Sequence, residues 1–377
     1  MIACNDFFQK LKEWGTDFFT GVPDSLLSSL SAWLLTNDPD NHIIAANEGS
    51  AAGLAAGHYL STGRIPVVYM QNSGIGNAVN PAASLLHREV YQIPVLFLVG
   101  WRGEPGVHDE PQHVFQGKAT ISLLENLDIR TEVLSADWQE AEEQIDRAYA
   151  YMNDTGCSVA FVIRKGTFEA YPFPKGDSMY PMTREKALEI ITAHMISDSV
   201  IVSTTGKMSR ELFEIREKRG EGHERDFLTV GSMGHASSIA LGIARNTDKT
   251  VYCLDGDGAV LMHMGSVAVL GQSGISNLKH ILINNGCHES VGGQPTVGFQ
   301  VHLDQVALAC GYKAVYTCTT EEELETAMKA VNERKELTLI QVLVNAASRR
   351  DLGRPTISSH KNKENFMNYI LEDNNEA

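Results

Sequence analysis

Asp257 and Asn285 are the side chains whose types and spacing best suit a hard cation. An apolar run over 250–254 leads into Gly256-Asp257-Gly258. A second, over 280–283, ends in Asn284-Asn285, with 25 residues between Gly258 and Asn284. That length takes one helix and a return strand, so the stretch reads as a βαβ unit. Both motifs then fall at carboxyl ends of parallel strands, where open α/β sheets bind ligands. A carboxylate and an amide oxygen can converge there on a cation such as Mg²⁺. Gly256 and Gly258 let backbone N–H groups approach an anion at a helix start. Cation, anion cradle and strand-end location together predict a diphosphate held through Mg²⁺.

Other candidate groups follow apolar runs in the same way. Glu48 opens an Ala/Gly-rich helix after a short strand, a place where a carboxylate also suits the helix dipole. Asp24 and Ser25 sit in the turn after the first strand, as helix caps or as substrate contacts. Asn72, Ser73 and Asn77 lie in a glycine-rich turn and offer polar contacts. Arg102, His108 and His113 cluster in a loop over 100–113 beside Asp109 and Glu110. Arg102 could grip an anion, and either histidine could bind it or shuttle a proton. Later in the chain, Thr204-Thr205-Gly206-Lys207 and Gly231-Ser232-Met233-Gly234 are turns able to present N–H and hydroxyl donors to a diphosphate. His288 and Glu289, just past Asn285, are read as bordering the reacting carbon. One of Arg349, Arg350 and Arg354 near the end could reach an anionic substrate, but solvated basic surface is the favoured reading.

To position these groups the chain needs two α/β domains. Strands are expected at 17–20, 42–46, 65–70, 94–99, 129–134 and 158–163, with helices at 5–14, 25–35, 47–59, 77–91 and 139–152. A stretch richer in Pro and Gly follows, giving a domain over 1–168, a linker over 169–183 and a second domain over 184–377. The second domain is expected to hold strands at 199–203, 227–230, 250–254, 280–283, 314–316 and 338–344. Its helices are expected from 184 and at 236–244, 301–310 and 321–334. The final acidic residues read as frayed.

The chain of 377 residues is long enough for two cores, and its net charge of −16 argues against nucleic acid as a partner. An anionic substrate therefore needs a local basic pocket. The six cysteines show no CxxC or zinc spacing, and Cys253 and Cys310 read as buried free thiols. No leader peptide and no membrane span is read, so a cytoplasmic location is expected.

The Gly-Asp-Gly and Asn-Asn pair at this spacing resembles the signature of the thiamine-diphosphate (TPP) enzymes. The resemblance extends to the two-domain length without a middle domain. It is carried further by Gly21-Val22-Pro23-Asp24-Ser25, Asp109-Glu110-Pro111-Gln112-His113, the run from Asn285 to Thr296, and Asp351-Leu352-Gly353-Arg354-Pro355. Together these look like the phosphonopyruvate decarboxylase family, with sulfopyruvate decarboxylase as close relative. There the two halves are often separate subunits, so fusion favours the phosphonate substrate.

What the resemblance implies is specific. The fold is α/β, with two TPP-binding domains, pyrimidine-type then diphosphate-type, each a mainly parallel sheet flanked by helices. Asp257, Asn285 and the backbone carbonyl of Cys287 would bind Mg²⁺. Thr205, Gly206, Ser232, Gly256, Gly258 and Ala259 would line the cofactor, and Met233 would wedge under it. Glu48 would face the aminopyrimidine N1′ and activate the thiazolium carbon. His288, His113 or His108 would handle later protons, with Asp24, Ser25, Asn72 and Arg102 near the substrate. The reaction would be non-oxidative decarboxylation of 3-phosphonopyruvate to phosphonoacetaldehyde, toward 2-aminoethylphosphonate. The alternatives are sulfopyruvate decarboxylation, a carboligase, or a non-catalytic TPP-binding protein. The family places the cofactor at a subunit interface, so a homo-oligomer is expected.

Overall fold

The computed structural model describes residues 1–173 and 179–372. The chain forms two compact units. The first runs to Gly176 and takes in Val291–Gln294, and the second holds the rest. The residues over 174–178, in the stretch read as a linker, and the acidic end over 373–377 lie outside the described residues.

The first unit carries a six-stranded sheet in the order His42–Ile44, Phe19–Gly21, Val67–Gln71, Leu96–Gly100, Val159–Ile163, Arg130–Val133. Every pairing is parallel. Its central strands are buried throughout save for half-buried Gln71. Alternate residues feed two cores: Val67, Tyr69, Leu96, Leu98 and Phe161 on one face, Val68, Met70, Phe97, Val99 and Val162 on the other. Burial on both faces is why these strands read as continuous apolar runs. The N-terminus is tied in by Ile2, whose N–H donates to Thr167 (2.8 Å) and whose carbonyl accepts from Glu169 (2.9 Å).

The second unit repeats the plan, in the order Ala314–Cys318, Thr338–Leu343, Leu278–Asn284, Thr250–Gly256, Ser199–Ser203, Asp226–Leu228. These pairings are also all parallel. Ile201, Tyr252, Leu254, Ile281 and Ile340 fill one face, and Val200, Val202, Cys253, Leu282 and Leu339 the other. Helix starts follow local chemistry. Asn47 caps Glu48–Thr62, Thr183 caps Arg184–His194, and Thr320 with Glu323 closes a capping box on Glu321–Asn332.

Three expectations need correction. The loop read over 100–113 ends early, because a helix runs Pro111–Asn126 with Pro111 in its first turn, where the missing N–H costs nothing. The helix expected over 77–91 is a short helix Ile75–Asn80 continued as a π-turn to Leu86. A terminal helix, Ser359–Glu372, was not read at all. Asn362 on it donates to the Asp226 carbonyl and accepts from Leu228 N–H. No helix among the described residues is long and apolar enough to cross a membrane.

Candidate active site

In the first unit the strand order brings the carboxyl ends before Glu48, Asp24, Asn72 and Arg102 side by side. Asn47 holds the helix start by accepting from Ser50 N–H (2.8 Å), which fixes Glu48 as the first helical residue. Glu48 is 4% exposed. Its Oε2 accepts from Asn77 Nδ2 at 2.7 Å, and burial raises its pKa above the ordinary carboxylate value against that bond. Its carboxyl lies directly over Gly74, where an added Cβ would come within 2.2 Å of Oε1. Gly74→Ala is therefore expected to displace Glu48 and lower kcat by roughly 10²-fold, as misplacement of a reacting group does. Steady-state kinetics at saturating cofactor, beside an unchanged circular dichroism spectrum, checks this.

Asp24 is fully buried. It accepts from Gln71 Nε2 (2.7 Å) and from Leu26 N–H (3.0 Å), so it is both a cap and a buried acid, its pKa raised by burial. Arg102 does not present a free cation. Its Nε and Nη2 bond Asp109 at 2.8 and 2.5 Å, and Nη1 donates to Ser25 Oγ at 3.2 Å. Asn72 donates to the Arg102 carbonyl (2.7 Å) and to Thr120 (2.9 Å), while its own buried side-chain oxygen has no partner among the described residues. His113 is buried on the helix, with Nδ1 likewise unpartnered, whereas His108 is exposed on the loop. Gly103 and Gly117 let that helix lie against the loop. A Cβ on Gly117 would meet the Gly103 carbonyl at 1.7 Å.

In the second unit Asp257 begins a helix at the end of the Thr250–Gly256 strand and is 2% exposed. Its Oδ2 accepts from the Thr296 hydroxyl, and Oδ1 has a long bond from Asn285 N–H at 3.4 Å. Burial pushes its carboxyl up to about 6. Asn284 braces the following loop, donating to the Gly298 carbonyl at 2.7 Å. Asn285 Oδ1 accepts only from Cys287 N–H (3.2 Å), and its Nδ2 donates to Glu289 Oε2 (3.3 Å). A buried carboxylate with a weakly engaged oxygen beside an amide oxygen is a donor set that fits a hard divalent cation. Beyond its chain neighbours, no atom of the described residues stands within 4 Å of a Cβ added at Gly256, which leaves room beside the turn.

Met233 Cε and the His288 ring close over Gly258, 3.4 and 3.0 Å from a Cβ added there, so this glycine permits that approach. His288 is held neutral, its pKa lowered by burial to about 4. Ser232 sits at φ +48, and Thr205 Oγ1 accepts from Gly231 N–H (3.0 Å), which ties the two donor turns together. Gly206 has φ +99 and starts the Lys207–Arg219 helix, while Ala259 is buried in the Asp257–Met262 helix.

Glu289, expected to border the reacting carbon, is engaged in a network of buried ion pairs. It receives Arg184 Nη1 and Lys207 Nζ (2.9 Å), and Arg184 is also bidentate to buried Glu211 at 2.7 Å on each arm. Burial alone would raise the Glu289 pKa, but Arg184, Ser348 and Lys207 together lower it. This network engages Asn285 Nδ2 through Glu289 and leaves Oδ1 with the Cys287 N–H. Glu289→Ala is expected to weaken divalent-metal binding about 10–100-fold, the usual cost of losing a partner behind a ligand. Titration with Mn²⁺ followed by electron paramagnetic resonance measures it. Near the C-terminus, Arg349 bonds Glu185 (3.0 Å) and Glu214, a structural role.

Several of these residues escape sequence reasoning. Thr296, Arg184 and Glu211 reach the cluster only through the fold. Asn77 had a local signal, its glycine-rich turn, but nothing there pointed to Glu48.

Residues 2–123 match the thiamine pyrophosphate enzyme N-terminal TPP-binding domain, and residues 204–342 match the C-terminal TPP-binding domain. With two parallel sheets carrying these clusters at strand ends, they define a thiamine pyrophosphate enzyme. Over nearly its whole length the chain is 33% identical to phosphonopyruvate decarboxylase of Streptomyces viridochromogenes, covering 98% of this chain and 95% of that one. It is 33% identical to the Streptomyces hygroscopicus enzyme of the same name, covering 99% and 95%. A sulfopyruvate decarboxylase from Methanosarcina acetivorans is 25% identical, covering 89% of each. The chain belongs to the phosphonopyruvate decarboxylase family and is a TPP-dependent 2-oxoacid decarboxylase. The Methanosarcina relative spans both halves in one chain, so fusion by itself does not separate the phosphonate from the sulfonate substrate.

Proposed function

We propose that this chain decarboxylates 3-phosphonopyruvate to phosphonoacetaldehyde and CO₂ with thiamine diphosphate and Mg²⁺, supplying an aldehyde for phosphonate biosynthesis. The observation that carries the chemistry is Glu48, a buried carboxyl of raised pKa held on one oxygen by Asn77 and seated over Gly74. Identity of 33% to the phosphonopyruvate enzymes over nearly the whole chain, against 25% to the sulfopyruvate relative that spans both halves, supports the substrate.

When bound, the cofactor supplies an electron sink for the pair left by departing CO₂. Glu48 holds a proton at Oε1 toward the aminopyrimidine, and Asn77, bonded to Oε2, fixes the orientation of the carboxyl. Asp257 Oδ1, Asn285 Oδ1 and the Cys287 carbonyl hold Mg²⁺. With Mg²⁺ bound there, Asp257 would stay ionised against the effect of burial. The N–H groups of Gly256, Gly258 and Ala259, with Thr205, Gly206 and Ser232, hold the diphosphate. Met233 supports the cofactor and His288 borders it as a neutral hydrogen-bonding group. On the substrate side, Ser25 and the Nη1 edge of Arg102 take an anionic end of the oxoacid. Asp109, Asp24 and Asn72 hold that pair in place. His113 is a proton carrier at the same strand ends, and exposed His108 is the weaker candidate. The working form is a homo-oligomer, which light scattering after size-exclusion chromatography tests.

CO₂ release from 3-phosphonopyruvate, 3-sulfopyruvate and pyruvate, each with thiamine diphosphate and Mg²⁺, tests the reading. Turnover of phosphonopyruvate at least about 10-fold above the other two in kcat/KM, with phosphonoacetaldehyde as product, is expected; that ratio is about 1.4 kcal/mol of discrimination. Preference for sulfopyruvate would reject the substrate, and carbon–carbon coupling products in place of aldehyde would reject the reaction.

A further inference from the structure

Behind the cofactor-binding edge of the second unit lies a buried cluster that the decarboxylation does not use. Cys253 and Asp255 are two apart on the Thr250–Gly256 strand, so they share a face, and His280 is the register partner of Cys253 on the next strand. All three are buried, at 0%, 1% and 1% exposure. One ligand atom from each falls within 4.8 Å of the others. Tyr312 OH lies 3.0 Å from His280 Nδ1 and orients the ring, leaving Nε2 toward Asp255 with no hydrogen-bond partner among the described residues. The cysteines are free, so no disulfide consumes Cys253.

The gap between His280 Nε2 and Asp255 Oδ2 is 3.6 Å. That is too long for a direct hydrogen bond, which wants about 2.7–3.2 Å. It is close to the edge of a tetrahedral zinc site, roughly 3.4 Å for ligand bonds of about 2.1 Å. The surroundings are apolar, with Val202, Leu282, Val260 and Leu270 in the same core. A buried carboxylate among them needs a compensating charge. A thiolate and a carboxylate around one divalent cation form a neutral set, which a dry core tolerates.

We propose that Cys253, Asp255 and His280 bind a zinc-class divalent cation, distinct from the Mg²⁺ of the cofactor. A thiolate and an imidazole favour zinc over magnesium. The cation pins the two central strands whose ends carry Asp257 and Asn285, and so gives those ligands a rigid base. In the cation-free protein burial keeps the Cys253 thiol protonated, so binding replaces the S–H bond with an S–metal bond and releases one proton. The site lacks any CxxC-type spacing because its ligands come from two strands.

The test uses the full chain with thiamine diphosphate and Mg²⁺. Protein grown with added zinc is dialysed against excess Mg²⁺ and its metal content measured. Protein grown with cobalt is examined for a thiolate-to-cobalt charge-transfer band. About one zinc per chain and the band are expected in the wild type and in Asp257→Asn. Both are expected to be lost in Cys253→Ser and in His280→Gln. The wild-type spectrum needs no variant to fold, and absence of the band there sinks the proposal. Loss of zinc in Asp257→Asn with retention in Cys253→Ser would assign the ion to the cofactor site and overturn it too.

Discussion

Glu48→Gln is expected to lower kcat for decarboxylation by about 10²–10⁴-fold, the range that a positioned acid–base group contributes. The substitution keeps the shape and one hydrogen-bonding oxygen, so Asn77 retains an acceptor in place of Oε2. What it removes is the exchangeable carboxyl proton. Cofactor binding should persist, since the proposed metal and diphosphate ligands lie in the other unit. Burial raises the Glu48 pKa in the folded chain. Unfolding therefore releases a proton as pH passes above the ordinary carboxylate value, and stability falls there. Glu48→Gln should thus leave the apoenzyme as stable as wild type in acid and more stable near neutrality, while nearly inactive. Thermal melts at two pH values beside single-turnover CO₂ release separate the effects. Unchanged kcat would remove Glu48 from the mechanism.

Asp257→Asn should abolish the stabilisation that cofactor and metal confer. A ligand pair present at 100 times its Kd stabilises by about 2.7 kcal/mol. For a unit of this size that is a Tm rise of roughly 5–10 °C, expected in wild type and absent in the variant. The cofactor-free proteins should differ in the opposite sense. The native carboxyl sits at about 6 against an ordinary 3.8, a difference of roughly 3 kcal/mol. Because the folded pKa is the higher one, wild-type apoenzyme loses stability as pH rises from about 3.8 through about 6. The asparagine variant escapes that loss and should melt higher than wild type above pH 6 without cofactor. Calorimetry with and without thiamine diphosphate and Mg²⁺ gives both signs. An undiminished cofactor shift in the variant would exclude Asp257 as a ligand.

Much of this architecture was legible because parallel strands covered on both faces leave unbroken apolar runs. Strands Ser199–Ser203 and Thr250–Gly256 and the helix Ala236–Ala244 match the expected positions to within two residues. The helix Pro111–Asn126 was missed because its buried residues are His113, Gly117, Thr120 and Leu124, too polar a face to register as periodic. The terminal helix Ser359–Glu372 has a similarly polar composition.

Asp257 and Asn285 were visible from sequence because each directly follows an apolar strand, and Glu48 because it opens an Ala/Gly-rich helix a few residues after one, so local order alone places them at a sheet edge. The chain's order of residues thereby determined the two sheets, the strand-end motifs and the class of enzyme. Only the tertiary structure decided which groups meet. It paired Asn77 with Glu48, occupied Arg102 with Asp109, gathered Arg184, Glu211 and Lys207 around Glu289, and set Cys253, Asp255 and His280 together. Such pairings depend on strand order and register, which hydrophobic periodicity does not encode. A charged side chain's effect depends on its neighbours across those strands, and they are distant in sequence.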